Sequence, residues 1–293
     1  MIRAILFILT NLAIMLVFGV ILNITRIQSN NFQHLMLIAL LFSVSGSIIS
    51  LVLSKWIAMH SVNGKIIKKP YNEIEYWLVK TVYLQSEKIG INRPQIAIYN
   101  ACDINAFTTG MQRNNALIAV STGLLRNMNH NEIEAVLAHE INHIANGDMV
   151  TMILIQGIVN TFVIFISYVI LQCISFFLLK NNYKNKNNRN NSIIYFIISI
   201  VLEMVFAIIA SIITMWFSRY REFRADAGAV NLVGRKKMIA ALQRLKISYT
   251  PEIRGYMTTF FINGCNKYFS KLFSSHPSLD ERIKALQTAK YIK

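Results

Sequence analysis

Long stretches with at most one charged side chain constrain the fold of this chain more than any other feature of its sequence. The longest are Ala4–Leu22, Leu35–Leu53, Met149–Leu179 and Ser192–Phe217. A helix of about 20 apolar residues crosses the hydrocarbon core of a bilayer, and each stretch is close to that length or longer. The sequence therefore predicts a mainly helical membrane protein with four hydrophobic helices.

The composition agrees with contact between the chain and lipid. Charged residues make up 15% of the chain and hydrophobic residues 54%, whereas about 25% of residues are charged in a typical soluble domain. The net charge of +16 is interpreted as Lys and Arg flanking membrane spans, because no basic stripe interleaved with aromatic residues is present. Nucleic acid is therefore not an expected partner. The 3 widely spaced cysteines favour neither a disulfide framework nor a thiolate metal site.

The polar remainder forms two blocks, 54–148 and 218–293, separated by the apolar segment 149–217. If 149–217 is a helical hairpin, the chain returns to the side it left, and the blocks can form one split domain behind two N-terminal anchor helices in 1–53. Lysines after the second apolar stretch place this side in the cytoplasm. The hairpin loop is itself basic, so the sequence leaves open whether the hairpin crosses the membrane fully.

The first polar block alternates helical and strand patterns. A helix and three short strands are predicted at Tyr71–Lys88, Gln95–Tyr99, Ala106–Thr109 and Ala116–Ser121. A second helix is predicted over Asn131–Asn146, with Asn131 as N-cap, Glu134 as its capping-box partner and Gly147 as the stop. His130 would then lie at the surface, just before this helix. The block after residue 217 is mostly helical in pattern.

The motif His-Glu-Ile-Asn-His at 139–143 lies on the second of these helices. Residues i and i+4 share one helix face, so the imidazoles of His139 and His143 can converge on one metal ion. Zinc suits such ligands, and a catalytic zinc site keeps one position open for water. Glu140 would lie beside the metal, where it can accept a proton from that water and pass it to the leaving amine.

A third ligand is needed, and Glu222 is the best-placed candidate. It follows the end of the fourth apolar stretch, whereas the two histidines precede the third, so a hairpin brings all three to one membrane face. Asp226 lies one turn further along the same helix face and can accept the second ring N–H of a zinc-binding histidine. The alternative is that Glu222 only pairs with Arg219 or Arg221 at the surface.

Together these residues resemble the HtpX family of bacterial heat-shock membrane zinc metalloproteases, which is related to the CAAX prenyl proteases. The resemblance covers essentially the whole chain. Besides 139–148, it rests on Ser54-Lys55-Trp56, Asn105-Ala106-Phe107 with Thr109-Gly110, Arg221–Asp226 and His276–Arg282. Two positions depart from the family pattern: Asn142 stands where a small residue is commoner, and Thr108 where Ala is commoner. Neither is expected to touch the zinc.

The resemblance implies a cytoplasmic, gluzincin-type metalloprotease domain with a small β-sheet. One zinc ion per chain would be held by His139, His143 and Glu222, with Glu140 as general base. The protein would be a multi-pass component of the bacterial inner membrane that cuts misfolded or damaged polypeptides in quality control under stress.

Two further residues are candidates for the catalytic site. Asn105 precedes a strand that is expected to pair with the substrate backbone, and its amide can donate to the developing oxyanion. The alternative is an ordinary turn asparagine. His276 can stabilise the tetrahedral intermediate, as the late His-Pro motif of the prenyl proteases implies. The alternative is a histidine at a helix start, before a proline at the first helical position.

Two other classes of function remain to be weighed. A membrane scaffold or chaperone with a structural zinc site has no use for a base, so the presence of Glu140 argues against it. A transporter would show several polar or broken spans, and the sequence has no such pattern.

Overall fold

The structure is a computed structural model that describes residues 32–110, 113–181, 188–248 and 276–288. The chain divides into two compact units. Among the described residues, one unit contains 32–49 and 153–216, and the other contains 50–152, 217–248 and 276–288. All of the candidate site residues lie in the second unit.

Helices dominate the described residues. They are α1 (Phe32–Val62), α2 (Glu73–Ile89), α3 (Thr122–Asn127), α4 (His130–Asn146), α5 (Asp148–Asn181), α6 (Asn188–Val233), α7 (Arg235–Ser248) and α8 (Leu279–Gln287). The strands are β1 (Lys65–Ile66), β2 (Gln95–Tyr99), β3 (Ala106–Thr109) and β4 (Leu117–Ser121), and a short 3₁₀ turn covers Arg113–Asn115. The mainly helical class with a small sheet is confirmed. β2 and β3 have the predicted bounds, and β4 begins one residue later than predicted, at Leu117.

The strands form one mixed sheet in the order β1-β2-β4-β3. β2 and β4 are parallel, whereas β1 and β3 are antiparallel to their neighbours. Among the strands of the described residues, β3 therefore lies at an edge of the sheet. Helices α2 and α4 pack against this sheet through a buried apolar cluster that includes Leu78, Val82, Ile96, Ile118, Val120, Leu137 and Ile141. Burial of these large side chains fixes α4, which carries the His-Glu-x-x-His motif, on a rigid support.

The start of α4 differs from the sequence prediction. The N-cap is Asn129, whose Oδ1 accepts the Glu132 N–H at 2.9 Å, and the Glu132 carboxylate accepts the Asn129 N–H at 2.9 Å. The predicted pair of Asn131 and Glu134 is wrong, because Glu134 instead pairs with Lys237 of α7 at 2.5 Å. The helix therefore begins at His130.

The end of α4 was predicted correctly. Gly147 adopts a left-handed conformation with φ of 66° and donates its N–H to a carbonyl of the last turn. This conformation favours glycine and ends the helix, so that α5 begins at the next residue.

The other side of α4 packs against the helices of the second polar block. Small residues let the helices approach closely, and the buried cluster comprises Ala135, Ala138, Ala229, Val230, Met238, Ala241, Leu242 and Leu286. Asn142 of α4 lies against Gly228 of α6, where any Cβ would clash with the Asn142 side chain. The glycine therefore leaves room for the Asn142 side chain, and the two site helices stay in contact.

Two described helices are long and apolar enough to cross a membrane. The qualifying segments are Asp148–Ile174, with a mean hydropathy of 2.2, and Ile197–Val233, with 2.6. Only 28% and 22% of these windows are buried, whereas the core helix of a soluble protein is mostly buried. Of the two N-terminal stretches, Ala4–Leu22 lies outside the described residues and Leu35–Leu53 lies within α1, where the shorter segment Leu51–Val62 is apolar.

Candidate metal centre

Three side chains from two helices converge at one point: His139 and His143 of α4, and Glu222 of α6. The Nε2 atoms of the histidines are 3.1 Å apart. Each lies 3.5 Å from an oxygen of the Glu222 carboxylate. Ligand bonds of about 2.0–2.2 Å at tetrahedral angles separate ligand atoms by roughly 3.3–3.6 Å. The three groups therefore fit around a single metal ion.

A carboxylate holds each histidine from behind. Asp226 Oδ1 lies 2.9 Å from His139 Nδ1, and Asp148 Oδ2 lies 2.6 Å from His143 Nδ1. When Nδ1 carries the proton and donates it to the carboxylate, the lone pair of Nε2 points to the centre. Asp226 thus stands where the sequence placed it, whereas the equivalent position of Asp148 was not predicted.

The electrostatics of the centre favour a positive charge. Burial lowers the pKa of His139, but hydrogen bonds to Asp226 and Glu222 outweigh it and raise the pKa to about 9. Burial raises the pKa of Glu222, yet its bonds to His139 and His276 hold that pKa well below its usual value. The carboxylates thus stabilise a positive charge at this place, which either a protonated imidazole or a bound metal cation would supply.

Arg282 of α8 lies behind the centre and is almost fully buried. Its guanidinium donates from Nε to Asp226 Oδ2 at 2.7 Å and from Nη2 to Asp226 Oδ1 at 2.5 Å. Burial alone lowers the pKa of Arg282, but the charge of Asp226 raises it above its usual value. This bidentate pair fixes the carboxylate that orients His139, so α8 completes the support of the metal centre.

Glu140 projects from the same helix as the two histidines and is 9% exposed. Thr108 of the edge strand β3 donates its hydroxyl to Glu140 Oε2 at 2.7 Å. The strand therefore contacts Glu140, which is the only carboxylate in the motif 139–143 and is not one of the three converging side chains.

The other two candidates differ in how close they lie to the centre. His276 Nδ1 is 2.9 Å from Glu222 Oε2, and its side chain is 52% exposed. The half-buried Asn105 precedes β3. Its backbone N–H donates to Ser121 Oγ at 3.1 Å, and its carbonyl accepts the Ser121 N–H at 3.0 Å. Within the described part of the chain, its side-chain amide is not hydrogen-bonded to any of the three converging residues.

A cavity of about 290 Å³ opens beside the centre, between the end of β3 and the start of α5. Its lining includes His143, Thr108 and Arg113 together with the apolar side chains of Ile144, Met149 and Val150. The cavity provides space for a mostly apolar group next to a converging histidine.

Comparison with known proteins decides the family. Residues 74–290 match the profile described as Peptidase family M48, and these residues include every side chain of the centre. The chain belongs to peptidase family M48. It is therefore a metalloprotease.

Two relatives match this chain over the whole length of both proteins. Protease HtpX of Pectobacterium atrosepticum is 60% identical over 293 residues, which is 100% of both chains. Protease HtpX of Yersinia pestis is 59% identical over the same span. The crystal structure of S. mikatae Ste24p has a TM-score of 0.61 at 20% identity, covering 94% of this chain and 61% of that chain. At this identity, the likeness to Ste24p supports the fold alone.

Sequence reasoning missed three contributors to this M48 site: Asp148, Arg282 and Thr108. Asp148 follows the glycine stop of the motif helix, so its position just after that turn was an available signal. Arg282 was visible only as part of the late motif, and nothing local in its sequence indicates that it meets Asp226. Nothing in the sequence around Thr108 indicates its contact with Glu140.

Proposed function

We propose that this metalloprotease is a membrane-bound zinc endopeptidase that cleaves misfolded or damaged proteins, both membrane and cytosolic, in quality control. The observation that carries the proposal is the convergence of His139, His143 and Glu222, with a carboxylate behind each histidine. The two relatives that match over the full length of the chain are both named Protease HtpX. Their name supports the assignment to proteolysis.

Two imidazoles and one carboxylate form a donor set that suits zinc, and the described ligand spacing fits its tetrahedral geometry. When bound, the ion would polarise the scissile carbonyl and make a nearby water molecule more acidic. In this proposal, His139, His143 and Glu222 hold the ion. Asp226 and Asp148 keep the rings in the ligating tautomer.

Glu140 is proposed to move the protons of the reaction. Its carboxylate accepts a proton from the attacking water and later delivers it to the nitrogen of the leaving amine. The half-exposed His276, which contacts Glu222, is proposed to stabilise the negative charge on the tetrahedral oxygen. Asn105 is proposed to donate its amide to the same oxygen after substrate binds.

The edge strand β3 is proposed to bind the substrate backbone. The Ser121 N–H of β4 donates to the carbonyl of Asn105, just before β3. Two residues further along β3, the register places Phe107 opposite Ala119. Because the ladder alternates in an antiparallel pair, the backbone groups of Ala106 and Thr108 face the open edge. An extended peptide can add there as a further strand.

The restoration of activity by metal tests this function. A chelator should abolish cleavage of casein by the purified protein in lipid nanodiscs, and stoichiometric zinc should restore it, because the ligand set remains after the ion is removed. Activity that is unaffected while the measured metal content falls to zero would refute a metal-dependent mechanism.

We further propose a multi-pass protein of the bacterial inner membrane. Residues 1–53 would form two anchor helices and 149–217 an apolar hairpin, with 54–148 and 218–293 as a split cytoplasmic protease domain. The low burial of the two qualifying helices and the grouping of 50–152 with 217–248 and 276–288 support this arrangement.

A natural cysteine allows the orientation to be tested. Cys102 is exposed in the proposed cytoplasmic domain, and Cys173→Ser with Cys265→Ser leaves it as the single thiol. A membrane-impermeant maleimide should label Cys102 in lysed spheroplasts and leave it unlabelled in intact ones. Equal labelling in intact spheroplasts would place the domain on the periplasmic side.

A further inference from the structure

The contact between Thr108 and Glu140 is the link between strand β3 and the motif helix that the function proposed above does not use. The Thr108 hydroxyl has one proton to donate. It lies 2.7 Å from Glu140 Oε2 and 3.3 Å from the Glu140 carbonyl oxygen. The shorter contact is the stronger hydrogen bond, and a bond to a carboxylate is stronger than a bond to a neutral carbonyl. The hydroxyl therefore holds the carboxylate.

The environment of this hydrogen bond makes it effective. Thr108 is 5% exposed and Glu140 9% exposed, so water competes little for either group. A glutamate side chain has several rotatable bonds, so ordering it costs conformational entropy. Because the hydrogen bond orders Glu140 before the reaction, this cost does not add to the activation free energy. A β-branched threonine on a paired strand is itself stiff, which makes it a suitable support.

We propose that Thr108 is a positioning residue for the general base: its hydroxyl holds Glu140 Oε2 so that Oε1 is presented to the attacking water. The proton moves from water to Glu140 Oε1 and then to the leaving nitrogen, while the threonine keeps its own proton throughout. The inference rests on the proposed role of Glu140 as the base.

The same residue also faces the substrate. The ladder alternation that turns the backbone of Thr108 toward the open edge of β3 leaves its side chain directed to Glu140. A peptide that pairs with this edge would contact the residue that holds the base.

The neighbouring Thr109 provides a matched control. It lies on the same strand, is 6% exposed, and donates its hydroxyl to Ser54 at 3.2 Å on the other face of the sheet. Its backbone groups bond to β4 and not to the open edge. Thr→Val at either position removes one hydroxyl and keeps a β-branched side chain of nearly equal volume.

The test compares Thr108→Val, Thr108→Ser and Thr109→Val in the full-length protein, with kcat and KM for a fluorogenic peptide and bound zinc measured for each. We expect Thr108→Val to lower kcat about tenfold, with KM changed by less than about twofold and zinc content unchanged, since a hydrogen bond to a charged group is lost. Thr108→Ser restores the hydroxyl and should keep kcat within about twofold of the parent, as should Thr109→Val.

Three outcomes would overturn the proposal. They are full kcat in Thr108→Val, equal loss in Thr108→Ser, which would indicate packing, and equal loss in Thr109→Val, which would indicate general weakening of the strand. The proposed role of Glu140 as the base is tested separately by Glu140→Gln, a variant in which Thr108 is unchanged. Undiminished proteolysis by Glu140→Gln would refute the base itself, whatever Thr108→Val does.

Discussion

Glu140→Gln is expected to keep the metal and lose proteolysis by at least about a hundredfold, the usual contribution of a positioned general base or more. Glutamine has nearly the same shape, and its amide oxygen can still accept the hydrogen bond that Thr108 makes to Glu140 Oε2 at 2.7 Å. The substitution therefore leaves the helix and the three converging side chains in place. It removes only the group that accepts a proton.

Glu134→Gln is the matched control for this variant. Glu134 lies on the same helix, but its carboxylate pairs with Lys237 of α7 at 2.5 Å and is remote in role from the metal centre. The control should retain parental kcat and bound zinc. Zinc analysis of Glu140→Gln must show the parental metal content, since loss of the ion would also abolish activity. Equal rates of casein cleavage by Glu140→Gln and the parent would contradict the mechanism.

The metal-binding pattern was predictable from sequence because it depends on local spacing and on one topological step. An i, i+4 pair shares a helix face wherever the helix begins. The approach of Glu222 required only that the two long apolar helices return the chain to the same side. The structure brings Glu222 to the histidines, although the exact start of the motif helix was wrong.

The error at the start of that helix has a physical cause. Asn129 with Glu132 and Asn131 with Glu134 both have the i, i+3 spacing of a capping box, so the local pattern fits either start. Tertiary contacts decide between them. Lys237 of α7 takes the Glu134 carboxylate, while Asn129 and Glu132 satisfy each other's backbone N–H groups.

The residues that sequence reasoning missed depend on packing between distant segments. Arg282 meets Asp226 because α8 packs on α7, which in turn packs on α4. Thr108 meets Glu140 because the sheet places β3 beside α4. No local periodicity records either contact, and a single sequence without its relatives offers no covariation to reveal them.

Glu222→Ala is expected to lose zinc and activity together. Two imidazoles alone hold zinc weakly, and the third ligand both completes the site and neutralises part of the charge of the ion. Glu222 is 2% exposed and lies 3.5 Å from both histidine Nε2 atoms. Replacing it with alanine leaves no carboxylate at that position. Bound zinc should fall from about one ion per chain to a small fraction after dialysis against a weak chelator.

Asp226→Asn should have a smaller effect and so separates the two acids of α6. In the parent, Asp226 Oδ1 lies 2.9 Å from His139 Nδ1. Asparagine keeps an oxygen that can accept this N–H, but it lacks the negative charge that pairs with Arg282. Zinc affinity should weaken by about 10–100-fold, as is usual when a carboxylate behind a zinc histidine is changed. At saturating zinc this variant should regain most of its activity, whereas Glu222→Ala should not. If Asp226→Asn empties the site while Glu222→Ala retains stoichiometric zinc, the carboxylate ligand is Asp226, because only a direct ligand is indispensable at saturating metal.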